Sequence, residues 1–425
     1  MAKREIGVEE RLPLLQTVPL SLQHLFAMFG ATVLVPVIFG VDPATILLFN
    51  GIGTLLYLFI CKGRIPAYLG SSFAFISPVL LVLPQYGYSA ALSGFICVGL
   101  VFVLVGLIVK AAGTSWIDVV FPPAAMGAIV AVIGLELAPT AAQMAGLIPP
   151  EGMTWATWSP DPQAIIVSIF TLAFTVLGSI LFRGFLAIIP VLLGVLAGYA
   201  LAFYMGMVNV AAIQAAQWLQ FPTLYFPEFN PAAIAIILPA ALVVVAEHIG
   251  HLFVTSSIVG KDLVEDPGLH RSLIGNGLST MLSGFVGSTP NTTYGENIGV
   301  LAITKVFSTW VIGGAAVFAI LLSFVGKLAA AIQYIPSPVM GGVSLLLFGT
   351  IAASGIRMLV EAQVDYGRPR NLILTSVVLI LGISGAQLTL GAVTLKGMGL
   401  ATIVAILLSV TIALFDVLGL SADKE

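Results

Sequence analysis

Charged residues are scarce in this sequence. Asp, Glu, Lys and Arg make up only 8% of its 425 residues and hydrophobic residues 59%, whereas soluble domains carry roughly 25% charged residues. A water-soluble fold is therefore excluded. Hydrophobic runs of about twenty residues recur along the chain, which is the length that an α-helix needs to cross the roughly 30 Å hydrocarbon core of a bilayer. The composition predicts an integral membrane protein built from helices.

Cysteine, clustered basic residues and alternating polarity are scarce or absent as well. The two cysteines, Cys61 and Cys97, fall in or beside apolar runs and are interpreted as small buried hydrophobic residues. The sequence contains no block rich in Lys and Arg, so we expect no nucleic-acid partner. Runs such as 232–245 lack the alternation of a transmembrane β-barrel, which excludes that class. Residues 1–11 lack the pattern of a cleaved signal peptide.

The hydrophobic runs predict about fourteen transmembrane spans. They lie near residues 15–39, 43–60, 70–84, 88–109, 119–138, 163–182, 185–206, 231–256, 271–287, 291–304, 308–328, 336–356, 371–388 and 398–418.

The basic residues divide unevenly between the two sides of this topology. One side holds only Lys327 and Lys396, and the other holds Lys3, Arg4, Arg11, Lys62, Arg64, Lys110, Arg183, Lys261, Arg271, Lys305, Arg357, Arg368, Arg370 and Lys424. Cytoplasmic loops carry an excess of Lys and Arg. The split therefore predicts that both termini are cytoplasmic.

Three pairs of similar segments recur in the same order in the two halves of the chain. They are 23–26 with 247–253, Gly70-Ser71-Ser72 with Gly287-Ser288-Thr289, and 121–127 with 335–341. Many carriers are built from such repeats, whose interface forms the substrate site. The offsets predict two repeats of seven helices, and an odd number of spans in each repeat makes their topologies inverted.

Two segments at equivalent places interrupt the helical pattern, residues 67–78 and 287–297. Both combine Gly, Ser and Pro at membrane depth, where non-helical backbone is tolerated only when it is buried in protein or lines a cavity. We expect each to be a short extended piece that leads into a half-helix. The free N–H groups at the start of a half-helix can donate hydrogen bonds to a substrate.

Two carboxylates lie well inside apolar surroundings, Glu247 and Glu296. An unpaired carboxylate at the bilayer centre is costly, so such residues usually face a cavity or a partner. His251 follows Glu247 by four residues, which places both side chains on one helix face, able to hydrogen-bond or to exchange a proton. The three residues are the first candidates for a functional site, and a purely structural Glu–His pair is the alternative.

Other polar residues in the spans are interpreted as structural. His248 points about 100° away from the face of that pair, and His24 occupies the matching position in the first repeat. Both are expected to satisfy backbone carbonyl groups between helices. Asp118, Glu136 and Asp416 lie near predicted span ends, where a carboxylate reaches headgroup water, so we expect them to be interfacial.

The candidate residues favour a small neutral base as the ligand. A pyrimidine base such as uracil has two ring N–H donors and two carbonyl acceptors on a flat ring. Carboxylates accept from the N–H groups, half-helix N–H groups donate to the carbonyl oxygens, and Phe73 can stack on the ring face. Ionised Glu247 and Glu296 would repel an anion instead.

The signature Glu296-Asn297-Ile298-Gly299 followed by Thr304-Lys305 resembles that of the nucleobase–ascorbate transporter family, also called nucleobase:cation symporter-2. In that family an acidic or amide residue, Asn, any residue and Gly are followed after four residues by Thr and then a basic residue or Gly. Gln23-His24 is similar to the first-helix motif of the family. The resemblance extends over essentially the whole chain, and 70–78 and 288–299 are similar to the branch that carries uracil with a proton.

This resemblance implies an all-α integral membrane protein of about fourteen helices, a 7+7 inverted repeat with short strands in the broken spans 3 and 10. It implies a core domain of residues 1–118 (spans 1–4) and 231–330 (spans 8–11). It also implies a gate domain of residues 119–230 (spans 5–7) and 331–425 (spans 12–14), and a homodimer. In the branch that carries uracil the base is held between spans 3 and 10, and the matching positions are Ala31, Phe73, Glu247, Tyr294, Gly295 and Glu296, with His251 beside Glu247 for proton coupling.

The sequence therefore predicts secondary active symport of uracil and a proton across a bacterial cytoplasmic membrane. A carrier of the same architecture for xanthine or for an anion is the alternative. An ion channel is disfavoured because the polar residues cluster at two breaks rather than along a pore. An enzyme is disfavoured because the sequence has no metal-ligand cluster, no nucleophile motif and no ATP-binding loop. No cofactor other than the coupling proton is expected.

Overall fold

The computed structural model describes residues 5–150, 152–390 and 393–420 and is mostly helical. Lys3, Arg4 and Lys424, which enter the charge split, lie outside these residues. In the first half of the described chain the helices are α1 (Leu14–Ala27), α2 (Phe29–Phe39), α3 (Pro43–Ile60), α4 (Ile76–Ala112), α5 (Ser115–Val120), α6 (Pro123–Glu136), α7 (Ala138–Met144), α8 (Pro162–Leu181), α9 (Pro190–Tyr204) and α10 (Val210–Ala215).

The second half contributes α11 (Pro231–Ile237), α12 (Ala240–Val259), α13 (Leu269–Val286), α14 (Gly295–Thr304), α15 (Thr309–Ser323), α16 (Gly326–Gln333), α17 (Ser337–Glu361), α18 (Pro369–Ile383) and α19 (Gly397–Val417). Short strands are β1 (Leu69–Ser71), β2 (Asn291–Thr293), β3 (Gln387–Leu390) and β4 (Val393–Lys396).

Among the described residues, seven helical stretches are long and apolar enough to cross a membrane. The pair α1 and α2, bent by 43° at Met28, makes an eighth, and α9, α15 and α18 are shorter apolar helices. The second and sixth predicted spans, 43–60 and 163–182, coincide with α3 and α8 within one residue. The chain is a multi-pass helical membrane protein with at least seven apolar spans.

The helices pack in two groups. In the first, α4 lies along α13, α11 packs on α4, and α3 packs on α13 and on α15, which also contacts α1. In the second, α17 lies along α6 and α8, and α18 packs on α6 and α19. Helix α12 lies between the groups, in contact with α4 and α14 on one side and with α6 and α19 on the other.

Small residues set the close approach of the principal helix pair in each group. A methyl group on Gly99 of α4 would lie 2.6 Å from the carbonyl oxygen of Gly277 on α13. In the second group, a methyl group on Gly127 of α6 would lie 2.8 Å from the carbonyl oxygen of Gly355 on α17. Lipid tails are as apolar as leucine, so membrane helices associate by such close backbone packing.

The two broken segments meet as a pair of antiparallel strands. Leu69, Gly70 and Ser71 of β1 pair with Thr293, Thr292 and Asn291 of β2. A 3-10 helix, Phe73–Phe75, follows β1 and continues into α4. Helix α14 follows β2 after one residue. Gly87, with φ +77°, interrupts α4, so its first part is a half-helix followed by a separate span.

The outer edges of this strand pair are closed by two threonines, one from the span before each strand. Thr54 Oγ1 on α3 accepts from Leu69 N at 2.9 Å and donates to Leu69 O at 3.3 Å. Thr280 Oγ1 on α13 accepts from Asn291 N at 3.2 Å and donates to Asn291 O at 3.1 Å. An unpaired backbone group costs several kcal/mol in hydrocarbon, so these two hydroxyls let strand edges exist at this depth.

One of the three similar segment pairs is not structurally equivalent. Ser71 lies in β1, whereas Gly287, Ser288 and Thr289 precede β2. The strands make Leu69 the counterpart of Asn291, an offset of 222 residues rather than the 217 that the Gly-Ser pattern suggests. The two Gly-Ser segments instead contact each other beside the strand pair, because Ser71 Oγ and Thr289 Oγ1 lie 2.7 Å apart. By contrast, Pro122 and Pro336 precede α6 and α17 in the same way.

The molecule has two distinct ends. At one, which we call the basic end, Arg64 forms ion pairs with Glu9 and Asp266, and Arg271 donates to the carbonyl oxygen of Ile60. At the other, which we call the loop end, residues 216–230 lie across the starts and ends of several helices. There Tyr225 N donates to Val286 O at 3.2 Å.

Replacing Thr280 by Val should destabilise the fold by about 1–3 kcal/mol, because it leaves the buried N–H and C=O of Asn291 without partners. The measurement is the thermal unfolding midpoint in detergent. Thr280→Ser keeps the hydroxyl and is the matched control. Equal stability of the Val and Ser variants would show that the hydroxyl does not support the strand.

Candidate functional site

A cavity of about 210 Å³ with several polar lining residues lies where the strand pair, α12 and α17 meet. Its walls come from both broken segments, from α12 and from the facing helices α6 and α17. The lining residues are Ser71, Phe73, Val130, Glu247, His251, Thr292, Thr293, Tyr294, Gly295, Glu296, Thr350, Ile351 and Ser354. Of the seven residues predicted for the substrate and proton site, six therefore line one cavity.

Two helix starts face this cavity without a side-chain cap. Tyr294 precedes α14 and Ser72 precedes the 3-10 helix at Phe73, and neither makes a side-chain capping hydrogen bond. The first N–H groups of a helix have no partner within the helix. Gly295, which carries one of these groups, has no side chain to cover it. The backbone here can donate hydrogen bonds to a bound ligand.

Two carboxylates supply acceptors on the same cavity. Glu247 projects from the middle of α12, and Glu296 lies in the first turn of α14. The buried Oε2 of Glu247 has no hydrogen-bond partner within the described residues. Such an atom is costly unless a ligand, a proton or water satisfies it. The cavity therefore combines backbone donors with carboxylate acceptors.

His251 lines the cavity beside Glu247, but its hydrogen bond goes elsewhere. Its Nδ1 lies 3.1 Å from Thr293 Oγ1 of β2. In the described part of the chain no hydrogen bond joins His251 to Glu247, so the direct pair expected from their spacing is not formed. The imidazole Nε2 faces Gly295, where a methyl group would lie 3.5 Å away. His251 thus connects α12 to the strand pair and still reaches the cavity.

The other two buried histidines bond to side chains rather than to backbone carbonyl groups, which corrects the expectation for them. His248 Nε2 lies 2.8 Å from Ser272 Oγ, which Tyr57 also contacts at 2.7 Å. His24 Nδ1 lies 3.0 Å from Asn297 Oδ1. Each histidine holds its helix to a neighbouring one, so both act in packing between helices.

Ala31 is the predicted site residue that does not line the cavity. It is buried in the first turn of α2. Phe73 does line it, and its ring packs edge-on against Phe348 of α17, with ring centroids 5.9 Å apart. The aromatic wall therefore joins the first broken segment to the second group of helices.

Several wall residues were missed in the sequence. Val130, Thr350, Ile351 and Ser354 belong to α6 and α17, which face the strand pair across the cavity. Thr350 and Ser354 are four residues apart in an apolar span, a spacing that places them on one helix face and could have marked them. Val130 carries no such signal because it is one valine among many.

Glu136 is not simply interfacial, contrary to its prediction. It is half-buried at the end of α6 and accepts hydrogen bonds from Ser77 Oγ and from Met398 N, both at 2.7 Å. Asp416, in contrast, is exposed near the end of α19, with its Oδ2 3.1 Å from Arg370 Nη1. Position near a span end did not distinguish the two carboxylates, because neighbouring helices cover one and not the other.

A chain of cavities leads from the site to the basic end. A cavity of about 90 Å³ shares His251, Gly295 and Ser354 with the site. It shares Val254, Met358 and Glu361 with a larger one of about 540 Å³. Glu361, which lines this larger cavity, forms an exposed ion pair with Arg357, so the cavity reaches the surface of the protein. At the loop end, the space beside Glu136 is only about 20 Å³.

A multi-pass helical protein with a polar cavity at two broken helices has the architecture of a membrane carrier. The chain belongs to the Permease family, whose model, Xan_ur_permease, matches residues 15–391. It is 71% identical to the uracil permease of Escherichia coli (strain K12) over 418 residues, 98% of this chain and 96% of that protein. It is 66% identical to the uracil permease of Paenibacillus larvae subsp. larvae over 416 residues, 98% of each. The family resemblance found in the sequence is confirmed.

Solved structures with low sequence identity share the fold. The overall structure of SLC26A9 matches with a TM-score of 0.71 at 11% identity, over 95% of this chain and 66% of that one. The transmembrane domain of the cyanobacterium bicarbonate transporter BicA matches with a TM-score of 0.63 at 13% identity, over 97% and 99%. These likenesses establish the fold and say nothing about this chain's ligand.

Gly70 is required by the ring of Tyr294, which occupies the place of a Cβ atom there. Gly70→Ala should therefore destabilise the protein by about 1–3 kcal/mol through overpacking. Gly349 is exposed and a Cβ there meets open space, so Gly349→Ala is the control that should cost nothing. Thermal unfolding in detergent measures both variants, and equal midpoints would contradict the proposed contact.

Proposed function

We propose that this protein takes up uracil together with a proton across the cytoplasmic membrane of a bacterium by alternating access. The observation that carries the proposal is the cavity in which Glu247, Glu296 and two uncapped helix starts converge. The two relatives named uracil permease, at 71% and 66% identity over nearly the whole chain, support uracil as the substrate.

The chemistry of the cavity suits a neutral pyrimidine. Glu247 and Glu296 provide acceptors for the two ring N–H groups, and the amides at Phe73 and Gly295 provide donors for the two carbonyl oxygens. The ring of Phe73 offers an apolar face. At about 210 Å³, the cavity is below the roughly 300–1,000 Å³ typical of sites for drug-sized ligands. A single-ring base is the ligand class that this size favours.

For the architecture we propose fourteen spans in a 7+7 inverted repeat. The matched roles of Thr54 and Thr280 on the two strand edges support it, as do the antiparallel strands. The two packing groups support a core domain of residues 1–118 and 231–330 and a gate domain of residues 119–230 and 331–425. A homodimer is proposed from the family resemblance.

We assign the basic end to the cytoplasm, with both termini there. The support is the excess of Lys and Arg at that end, which follows the positive-inside rule. The chain of cavities runs from the site towards this end, whereas the space beside Glu136 at the loop end is small. The conformation described here is then the inward-open state of the carrier.

An anion carrier of the same fold is the second candidate, because a solved neighbour is a bicarbonate transporter. Xanthine is a further candidate within the family. Against an anion stand Glu247 and Glu296, since two carboxylates on one cavity repel negative charge when both are ionised. Competition of uracil uptake by unlabelled uracil, xanthine and bicarbonate separates the three ligands.

The decisive experiment is uptake of radiolabelled uracil into proteoliposomes, with and without an imposed proton gradient. Symport predicts accumulation above the external concentration only when the gradient points inward. Equilibration at the same rate with and without the gradient would contradict proton coupling while leaving uracil transport intact. The absence of any uptake would contradict the proposal that uracil is the substrate.

Glu247→Gln and Glu296→Gln should each weaken uracil binding by about 1–3 kcal/mol, or roughly 5- to 150-fold. Each change places an amide donor where a ring N–H needs an acceptor. Isothermal calorimetry on purified protein measures the affinity. Glu228→Gln, which alters an exposed carboxylate at the loop end, is the matched control. Wild-type affinity in both site variants would refute the proposed contacts.

His251→Ala should retain measurable uracil binding and lose most gradient-driven accumulation, because coupling requires a group whose proton occupancy differs between loaded and empty carrier. His270, which lies apart from the cavity near Lys62 and Arg271, gives the control His270→Ala. Binding and uptake are measured on the same preparation. A histidine that merely orients its neighbours would instead lower binding and leave the proton dependence of residual uptake unchanged.

A further inference from the structure

Glu136 joins helices of the two packing groups at the loop end. Its carboxylate accepts from Ser77 Oγ in the first turn of α4 and from the backbone N of Met398 in the first turn of α19. No side chain of α19's own N-terminal residues caps that helix. Glu136 therefore supplies from α6 the acceptor that an N-cap residue normally supplies, and the same carboxylate holds the half-helix that begins beside the site.

The packing around Glu136 leaves little freedom. The carboxylate lies directly against Gly397, at the place where a Cβ atom would be, and Gly397 has φ +52°. Lys396 lines the same small space. A residue with a side chain at position 397 would displace the carboxylate. The contact is thus built into the start of α19.

Within the described residues, this contact has no inverted counterpart at the basic end. The strand offset of 222 residues, which relates Leu69 to Asn291, relates Ser77 to Gly299 of α14. Gly299 has no hydroxyl, and a methyl group there would meet nothing within 4 Å. It lines the cavity of about 90 Å³ that leads from the site. Ser77 and Glu136 therefore tie the two groups at the loop end, and the position related to Ser77 at the basic end offers no side chain for such a contact.

We propose that Glu136 is the latch that keeps the loop end closed while the site is open to the basic end. For the site to open to the loop end, the hydrogen bond from Ser77 has to break, because Ser77 and Glu136 belong to different packing groups. This inference rests on the proposed alternating access and does not depend on which ligand is carried.

The latch is tested with two reporter cysteines, introduced one at a time. The background protein carries Ala in place of Cys61 and Cys97. The first reporter is Ile236→Cys, at a position that lines the space beside Glu136, and the second is Ala302→Cys, at a position that lines the path to the basic end. Labelling rates with a charged methanethiosulfonate reagent are measured on purified protein without uracil or a gradient. The result is therefore independent of the proposed substrate and coupling.

Glu136→Ala should raise the labelling rate of the Ile236→Cys reporter roughly 10-fold, because it removes the acceptor of the Ser77 hydrogen bond, which favours the closed loop end. The rate of the Ala302→Cys reporter should stay level or fall. Ser77→Ala should act in the same direction, roughly 3-fold. Glu228→Gln, an exposed carboxylate at the same end, should change neither rate.

Unchanged labelling of the Ile236→Cys reporter would overturn the proposal. A parallel rise of both rates would also overturn it, because general loosening exposes both paths whereas a latch exposes one. If Glu136→Ala does not yield folded protein, the labelling rates of the two reporters in Ser77→Ala test the proposal in the same way. That change removes one hydroxyl and leaves the contact of Glu136 with Met398 in place.

Discussion

The structure depends on the pairing of backbone groups where two spans are broken at membrane depth. Extended chain in hydrocarbon is tolerated only if its N–H and C=O groups find partners. Here β1 and β2 pair with each other, and Thr54 and Thr280 close the edges that remain. This arrangement allows two helices to begin inside the protein. Their uncapped first turns then become the donors of the site.

The cavity at the broken spans brings helix starts and carboxylates together. Helix starts carry partial positive charge and favour anions. In this chain Glu247 and Glu296 stand beside those helix starts. Their acceptor oxygens lie on the same cavity as the backbone donors, which is the combination that the proposed neutral base requires.

Helix α12 connects the site to both groups of helices. Glu247 and His251 project into the cavity from one face, whereas His248 turns towards α13 and contacts Ser272. Helix α12 also touches α6 and α19, so the helix that carries Glu247 lies where the two groups meet. Thr293 links His251 to the strand pair, so residues that line the cavity also hold α12 to the strand pair.

The amino-acid sequence determined the features that arise from local composition and spacing. These are the membrane class, the positions of spans such as α3 and α8, the two broken segments, and the cavity residues whose polarity conflicts with an apolar span, such as Glu247 and Glu296. Each is visible locally because hydrocarbon penalises charge and unpaired backbone wherever they occur.

Tertiary structure alone decided which neighbours those residues meet. The hydrogen bond of His251 goes to Thr293 rather than to Glu247, four residues away. Glu136 is covered by Ser77 and by Met398, 59 and 262 residues distant in sequence. Val130 and Thr350 reach the cavity because α6 and α17 pack opposite the strand pair. Such contacts depend on how distant helices approach one another, and spacing along a single chain segment carries no record of that approach.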